Sequence, residues 1–120
     1  MDKKYKIAII GLGYVGLPLA IAFSKHFRVV GFDINLDRIN DLNHCIDTNS
    51  DIHFQENENT LFTHNLADIS GANIYIITVP TPVNKDNIPD LSMLEEASRM
   101  VADSLKQDDI VIYESTVYPG

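Results

Sequence analysis

The feature that most constrains the fold is an apolar run that ends in closely spaced glycines. Residues 4–10 predict a buried strand, and Gly11, Gly13 and Gly16 follow at once in the spacing G-x-G-x-x-G. A segment compatible with a helix then opens at about Tyr14. In this order Gly11 would make a tight turn, Gly13 would let the main chain approach a pyrophosphate, and Gly16 would let the helix lie close to the strand. The backbone N–H groups at the helix start would then face an anionic ligand.

An acid follows at the position that a ribose-binding carboxylate takes in such a unit. Residues 28–33 predict a second buried strand that ends in Asp33, about 20 residues beyond the glycines. A carboxylate there accepts hydrogen bonds from the ribose hydroxyls and repels a 2′-phosphate, so the sequence favours NAD over NADP. The alternative is that Asp33 caps the short helix predicted at residues 35–43. Arg38 would lie in the first turn of that helix, where it either contacts the adenosine or is a solvated surface arginine.

Three further apolar runs predict strands at residues 60–63, 73–79 and 109–113. With the helical segments between them, they predict an α/β fold with a doubly wound (Rossmann), mostly parallel sheet. About five strands would lie in the order 3-2-1-4-5, with right-handed crossovers. The classic fold has a sixth strand, so we expect the chain to stop before the last one.

Helical periodicity predicts which side chains face the core. The predicted inward faces are Val15, Leu19, Ala22 and Phe23 in a first helix over residues 14–26, Leu36, Ile39 and Leu42 in the second, and Leu94, Ala97, Val101 and Leu105 in the third. Asp90 or Ser92 would cap the third helix, and Ser92 with Glu95 matches a capping box. Residues 66–69 predict a turn of helix, and residues 44–59 predict an irregular connection with a helical turn.

The predicted fourth and fifth strands end in polar residues at the edge of the sheet where ligands gather. Pro80, Thr81 and Pro82 follow the fourth strand and prevent further pairing there. Thr81 could offer its hydroxyl or main chain to a cofactor, or the segment is a plain proline turn. Ser115 and Thr116 follow the fifth strand.

Composition excludes several classes of protein. The chain of 120 residues suits one domain, and its net charge of −8 disfavours a nucleic-acid or anionic membrane surface. Cys45 is the one cysteine, so no intrachain disulfide forms, and no Cys or His pair has metal-ligand spacing. The apolar stretch 7–23 contains three glycines and Pro18 and no small-residue cleavage site, which disfavours a signal peptide or membrane span. We expect a cytoplasmic protein without a metal site.

Four ordered motifs together resemble the UDP-glucose/GDP-mannose dehydrogenase family, in particular its branch that acts on UDP-N-acetylhexosamines in bacterial surface-polysaccharide synthesis. The motifs are residues 11–18 (GLGYVGLP), Asp33-Ile34-Asn35 with Arg38, residues 79–82 (VPTP) and residues 114–120 (ESTVYPG). The likeness covers nearly the whole chain. The resemblance implies oxidation of a sugar C6 alcohol to a carboxylate with two NAD, through a cysteine thiohemiacetal and thioester. A cysteine, a lysine, an asparagine and an aspartate would serve that chemistry downstream of this segment.

The resemblance also implies roles for individual residues. The main chain of Val15, with Gly13 and Tyr14 alongside, would contact the pyrophosphate within the loop from Gly11 to Gly16. The adenosine ribose would be held by Asp33 and Arg38, and the cofactor would be flanked by Pro80 and Thr81. Thr116 would lie near the nicotinamide and position the water or the sugar oxygen. Cys45 stands where the family often has glycine, so it is not the nucleophile.

We therefore expect residues 1–120 to be the N-terminal NAD-binding part of a longer, homo-oligomeric enzyme, inactive by itself. Two alternatives remain open. One is a stand-alone dinucleotide-binding regulatory module without catalysis, and the other is the NAD domain of a β-hydroxyacid dehydrogenase. The segment from Ser115 to Tyr118 does not resemble the Gly and Ser pattern that the second alternative has after its fifth strand.

Overall fold

The computed structural model describes residues 5–47, 52–53, 57–81, 83, 85–86 and 88–114. Five parallel strands form one sheet with β1 (Lys6–Ile10) at its centre. On one side of β1 lie β2 (Arg28–Phe32) and then β5 (Thr60–Thr63), and on the other side lie β6 (Ile74–Ile77) and then β7 (Ile110–Tyr113). Counting these five strands along the chain gives the order 3-2-1-4-5, so the predicted topology is confirmed.

The continuous apolar run of β1 reflects burial on both faces of the sheet. Ala8 and Ile10 contribute to a hydrophobic cluster on one face, while Ile7 and Ile9 contribute to a second cluster on the other. Helices cover both faces, since α1 (Gly16–Phe23) and α2 (Leu36–Asn43) pack in the second cluster and α3 (Ser92–Ala102) in the first. The sheet is therefore doubly wound, and its central strand cannot shift without moving both cores.

The predicted inward face of α1 is wrong at two positions. Val15 is 37% exposed and Ala22 is also exposed, whereas Leu17 and Ala20 are buried against the sheet with Gly16. Leu19 and Phe23 are partly buried and pack at the edge of that face. The helix is apolar on every side, so periodicity could not fix its rotation, and the close approach of Gly16 to β1 fixes it instead.

Helix α1 is also shorter than the predicted residues 14–26. It begins after Val15 and ends at Phe23, and the chain then leaves it through turn hydrogen bonds. Lys25 N donates to Ala22 O at 3.4 Å, and His26 N donates to Phe23 O at 3.0 Å. Both bonds join residues three apart, as in a 3-10 turn, and they close the end of the helix. Sequence periodicity does not distinguish such a turn from a continued α-helix.

Helix α2 begins one residue later than predicted because Asn35 is its N-cap. The Asn35 side chain accepts a hydrogen bond from Arg38 N at 3.2 Å. Ile39 and Leu42 are buried as predicted, but Leu36 is exposed. Leu36 occupies the first helical position, where the chain has just turned out from the sheet.

Between α2 and β5 the chain forms a small antiparallel pair, β3 (Ile46–Asp47) with β4 (Ile52–His53). The helical turn predicted within residues 44–59 is absent from the part of this segment that the structure describes. In contrast, two short elements beyond it are confirmed at their predicted positions, β5 and the 3-10 helix (Leu66–Ile69). Strands β6 and β7 are confirmed but shorter than predicted.

The predicted capping box of α3 is wrong, because Ser92 lies inside the helix and Leu91 is at its N-cap position. Asp90 Oδ1 instead accepts hydrogen bonds from Ser92 Oγ at 2.7 Å and from Ser92 N at 2.9 Å. These bonds, the hydroxyl first, hold the pKa of Asp90 below its ordinary value, so this contact is lost as pH falls through that lowered pKa. Ala97 and Val101 are buried and Leu94 partly buried, whereas Leu105 lies beyond the helix and is exposed.

None of the helices among the described residues has the length and apolar character that crossing a bilayer requires.

Cys45 follows α2 in the left-handed backbone region, with φ of +60°, and its N–H donates to Leu42 O at 2.9 Å. A residue with a side chain is strained there, and glycine is not. We predict that Cys45→Gly raises the free energy of unfolding by about 1 kcal/mol. Cys45→Ser is the matched control, since it keeps the β-carbon and should give no gain in denaturant titrations. Equal stabilisation by both substitutions would contradict the backbone explanation.

Candidate dinucleotide site

A cleft of about 300 Å³ opens where β1, β2 and β6 end. Its walls come from four segments of the chain: the start of the glycine loop, the residues after β2, the residues after β6, and one face of α3. These are the carboxyl ends of neighbouring parallel strands at the point where the strand order reverses. Open α/β sheets bind their ligands at such a point.

The first and third glycines of the loop are required by close contacts. Gly11 has φ of +101°, and a β-carbon there would lie 3.1 Å from the main-chain nitrogen of Val79. A β-carbon on Gly16 would collide with the carbonyl oxygen of Gly11 and lie 2.5 Å from Thr78 Oγ1. The structure thus places Gly11 in a tight turn and Gly16 against the end of β1, as the spacing predicts.

Leu12 lies between these glycines, and both polar groups of its main chain are hydrogen-bonded. Its N–H donates to Asp33 Oδ2 at 2.9 Å, and its carbonyl accepts from Arg38 Nε at 2.8 Å. Its side chain is fully buried and packs over Gly31 of β2, where an added β-carbon would lie 2.9 Å from Leu12 Cδ2. We call this arrangement of Leu12, Asp33 and Arg38 the Leu12 clamp. It ties the glycine loop to the segment that follows β2.

Thr78 holds the loop from the opposite side, and sequence reasoning missed it. Its hydroxyl donates to the Gly11 carbonyl at 2.5 Å, and its N–H donates to the Ile10 carbonyl at 2.9 Å. Thr78 is the hydroxyl-bearing residue within an otherwise apolar run from residue 76 to 79. A hydroxyl-bearing residue within an apolar strand segment was the signal in the sequence that pointed to a specific contact.

The main-chain N–H groups at the start of α1 are open. In the part of the chain that the structure describes, the N–H groups of Gly13, Tyr14, Val15 and Gly16 make no hydrogen bond. The first bond of the helix runs from Leu17 N to Gly13 O at 3.2 Å. A β-carbon placed on Gly13 would meet no atom within 4 Å. These amides, at the positive end of a helix and with open space beside them, can bind an anion.

The two predicted adenosine contacts lie at this cleft, and the alternatives to both are wrong. Asp33 is not the cap of α2, because Asn35 fills that position, and Asp33 Oδ1 accepts from Asn35 N at 2.9 Å. Arg38 is 8% exposed and therefore not a solvated surface arginine. A carboxylate has about four acceptor sites, so Asp33 keeps two after its bonds to Leu12 and Asn35. Those two sites suit a pair of adjacent ribose hydroxyls.

Of the other predicted site residues, some line the cleft and some lie away from it. Pro80 lines it, but Thr81 is 1% exposed and does not. Tyr14 is 76% exposed and Val15 is also exposed, so their side chains lie outside the cleft, next to their open N–H groups. Thr116 lies outside the described residues with Pro82 and Ser115, and its role near the nicotinamide stays a prediction.

One wall of the cleft comes from α3, for which the sequence predicted only a core-facing side and a cap. Met93, Glu96, Ala97 and Met100 lie on one helical face and line the same cleft as Asp33 and Arg38. Their spacing of i, i+3, i+4 and i+7 is visible in the sequence, but periodicity alone does not say that such a face borders a ligand site. Within the described residues, no cluster of three or more His, Cys, Asp and Glu is placed to hold a metal ion.

The glycine geometry separates a structural from a ligand-binding role within one loop. We predict that Gly13→Ala leaves the free energy of unfolding nearly unchanged and weakens dinucleotide binding, because its β-carbon occupies only the space beside the open amides. Gly16→Ala should lower the free energy of unfolding by about 2–4 kcal/mol, because its β-carbon collides with main chain. Denaturant titration and calorimetry with NADH measure both. Equal loss of stability in the two variants would contradict this division.

A family model described as the NAD binding domain of the UDP-glucose/GDP-mannose dehydrogenase family matches residues 5–120. The UDP-N-acetyl-D-glucosamine 6-dehydrogenase of Pseudomonas aeruginosa is 50% identical over 121 residues, covering 98% of this chain and 29% of the relative. The UDP-N-acetyl-D-mannosamine dehydrogenase of Pyrococcus horikoshii is 42% identical over 123 residues, covering 96% of this chain and 29% of the relative.

Solved structures show the same likeness. The UDP-D-ManNAc dehydrogenase structure from Pyrococcus horikoshii superposes with a TM-score of 0.82 at 37% identity, over 96% of this chain and 29% of that one. The UDP-N-acetyl-mannosamine dehydrogenase structure from Staphylococcus aureus gives 0.78 at 28% identity, over 95% of this chain and 29% of that one. The chain thus spans less than a third of the length of these relatives.

Proposed function

We propose that this chain, which belongs to the UDP-glucose/GDP-mannose dehydrogenase family and matches its NAD-binding domain, is part of an enzyme that oxidises a UDP-N-acetylhexosamine. The reaction would convert the C6 alcohol of the sugar to a carboxylate with two NAD, for surface polysaccharide synthesis. The similar proteins named as UDP-N-acetyl-D-glucosamine and UDP-N-acetyl-D-mannosamine dehydrogenases support this substrate class. The observation that carries the dinucleotide-binding part of the proposal is the Leu12 clamp beside four open amides.

The residues of the site fit the chemical parts of NAD, which is the cofactor of this domain. The open N–H groups from Gly13 to Gly16 would bind the diphosphate, in line with the helix dipole. Asp33 would accept hydrogen bonds from the ribose hydroxyls through its two remaining acceptor sites, and the guanidinium of Arg38 would lie beside the same ribose. When bound, NAD supplies a hydride acceptor, and the chain's own part is to fix its position.

The acid also supports the selection of NAD over NADP. A 2′-phosphate would place two negative charges beside the Asp33 carboxylate, which the clamp holds in place through Leu12. The cleft therefore favours a free 2′-hydroxyl.

The rest of the proposed enzyme lies outside the described residues. We propose that residues 1–120 are the N-terminal part of a longer, homo-oligomeric and cytoplasmic enzyme. The greater length of the relatives, of which this chain spans about 29%, supports the longer protein. The nucleophilic cysteine and the lysine would come from the remainder, and Thr116 would position the water or sugar oxygen near the nicotinamide. Pro80, which lines the cleft, would flank the cofactor.

The role of Asp33 is tested by NADH binding. We predict that Asp33→Ala weakens NADH binding by roughly 1–3 kcal/mol, because it removes the acceptor for the ribose hydroxyls. Asp33→Asn keeps an oxygen that can accept from Leu12 N–H, so it should preserve the loop while reducing the preference for NADH over NADPH. Isothermal titration calorimetry with both dinucleotides measures these changes.

Asp37→Ala is the matched control, since Asp37 is an exposed acid in the first turn of α2 and does not line the cleft. It should bind NADH like the unsubstituted protein. Unchanged NADH affinity in Asp33→Ala, in protein shown by circular dichroism to be folded, would remove Asp33 from the proposed site. Failure of the unsubstituted protein to bind NADH would refute the proposed function itself.

A further inference from the structure

We propose that Glu96 of α3 recognises the adenine base of the dinucleotide by accepting a hydrogen bond from its exocyclic amino group. This inference rests on the proposed function and deepens it, because it assigns the base end of the cofactor to a wall of the cleft. The observation that carries it is the position of Glu96 among the cleft-lining residues, together with the apolar residues that surround it on that wall.

The cleft leaves one place for the base once the other parts of an adenosine diphosphate are positioned. In the proposed function the diphosphate binds the open amides at the start of α1, and the ribose binds the remaining acceptor sites of Asp33. The rest of the same cleft continues from Asp33 to the face of α3. We therefore place the adenine ring between the residues after β2 and β6 on one side and α3 on the other.

That part of the cleft has the apolar surface that a planar base requires. Val79 and Ala97 pack in one hydrophobic cluster with Phe32, and Met93 and Met100 flank Ala97 along the helix. Methionine sulfur and methyl groups make favourable contacts with aromatic rings and adapt to their shape. An apolar slot with few polar groups at its rim is the usual form of a site for a heterocyclic ligand.

Glu96 supplies the polar group at that rim. Among the described residues that line the cleft, the charged ones are Asp33, Arg38 and Glu96, and Glu96 is the one on the α3 wall. An ionised carboxylate can only accept hydrogen bonds, so it pairs with the 6-amino group of adenine. Hypoxanthine presents a keto oxygen in place of that amino group, and its nearest donor, N1–H, lies one ring position away, so a carboxylate placed at the amino group would lose its hydrogen bond. A phosphate would be repelled, which favours the orientation that places the base at α3.

The test compares binding of NADH with binding of its hypoxanthine analogue, nicotinamide hypoxanthine dinucleotide in the reduced form. Both carry the same charge, so their ratio of dissociation constants is insensitive to the general effect of removing an acid. The unsubstituted protein should prefer NADH. Glu96→Ala should lower that preference about threefold to tenfold, as expected for one hydrogen bond at a partly solvated rim. Glu96→Gln should lower it too, because an amide can pair with either base.

Glu95→Ala is the control, since Glu95 is the adjacent exposed acid, lies 4.0 Å from Arg99 and does not line the cleft. Its preference for NADH should equal that of the unsubstituted protein. If Glu96→Ala binds NADH and keeps the full preference, the inference is wrong and the proposed function stands. If the unsubstituted protein binds neither dinucleotide, both fail.

Discussion

The structure of the cleft depends on two hydrogen bonds that hold the main chain of Leu12, one at its N–H and one at its carbonyl. A carboxylate accepts its N–H and a guanidinium donates to its carbonyl, so both polar groups of one peptide residue are held by charged partners. Hydrogen bonds of this kind are stronger than those between neutral groups. They fix the chain as it leaves β1, just before the four N–H groups that are open at the start of α1 because a helix provides no partners for its first N–H groups.

The same bonds link the fold to ligand binding. Asp33 holds the glycine loop and also lines the cleft, so one residue would serve both the proposed diphosphate site and the proposed ribose site. Thr78 secures the loop from β6, which lies on the other side of β1. The loop is thus already ordered before a ligand binds, and binding needs little further loss of main-chain freedom.

The sequence predicted those features that depend on backbone requirements. Gly11 and Gly16 were identifiable because no other residue fits a tight turn or a close helix approach there, and Asp33 because its position follows from the length of one β-α-β unit. The strand order followed from the alternation of apolar runs. Features that depend on packing were not predictable, such as the rotation of α1, which is apolar all round and is set by Gly16.

The α3 wall shows the same limit at the site itself. Met93, Glu96 and Met100 are spaced as an ordinary helical face, and only the assembled fold shows that this face borders the cleft after β2 and β6. At Cys45 the structure goes against the local preference of the residue. The chain takes a left-handed conformation after α2, although such a turn favours glycine. Tertiary contacts therefore decide the outcome where local preference is weak or unfavourable.

The most direct test of this account is a crystal structure of the protein with NADH bound. The account predicts diphosphate oxygens at about 3 Å from the N–H groups between Gly13 and Gly16, the adenosine ribose on Asp33, and the Leu12 clamp unchanged. A diphosphate bound elsewhere, or an Asp33 side chain that leaves Leu12 when the ligand binds, would contradict it.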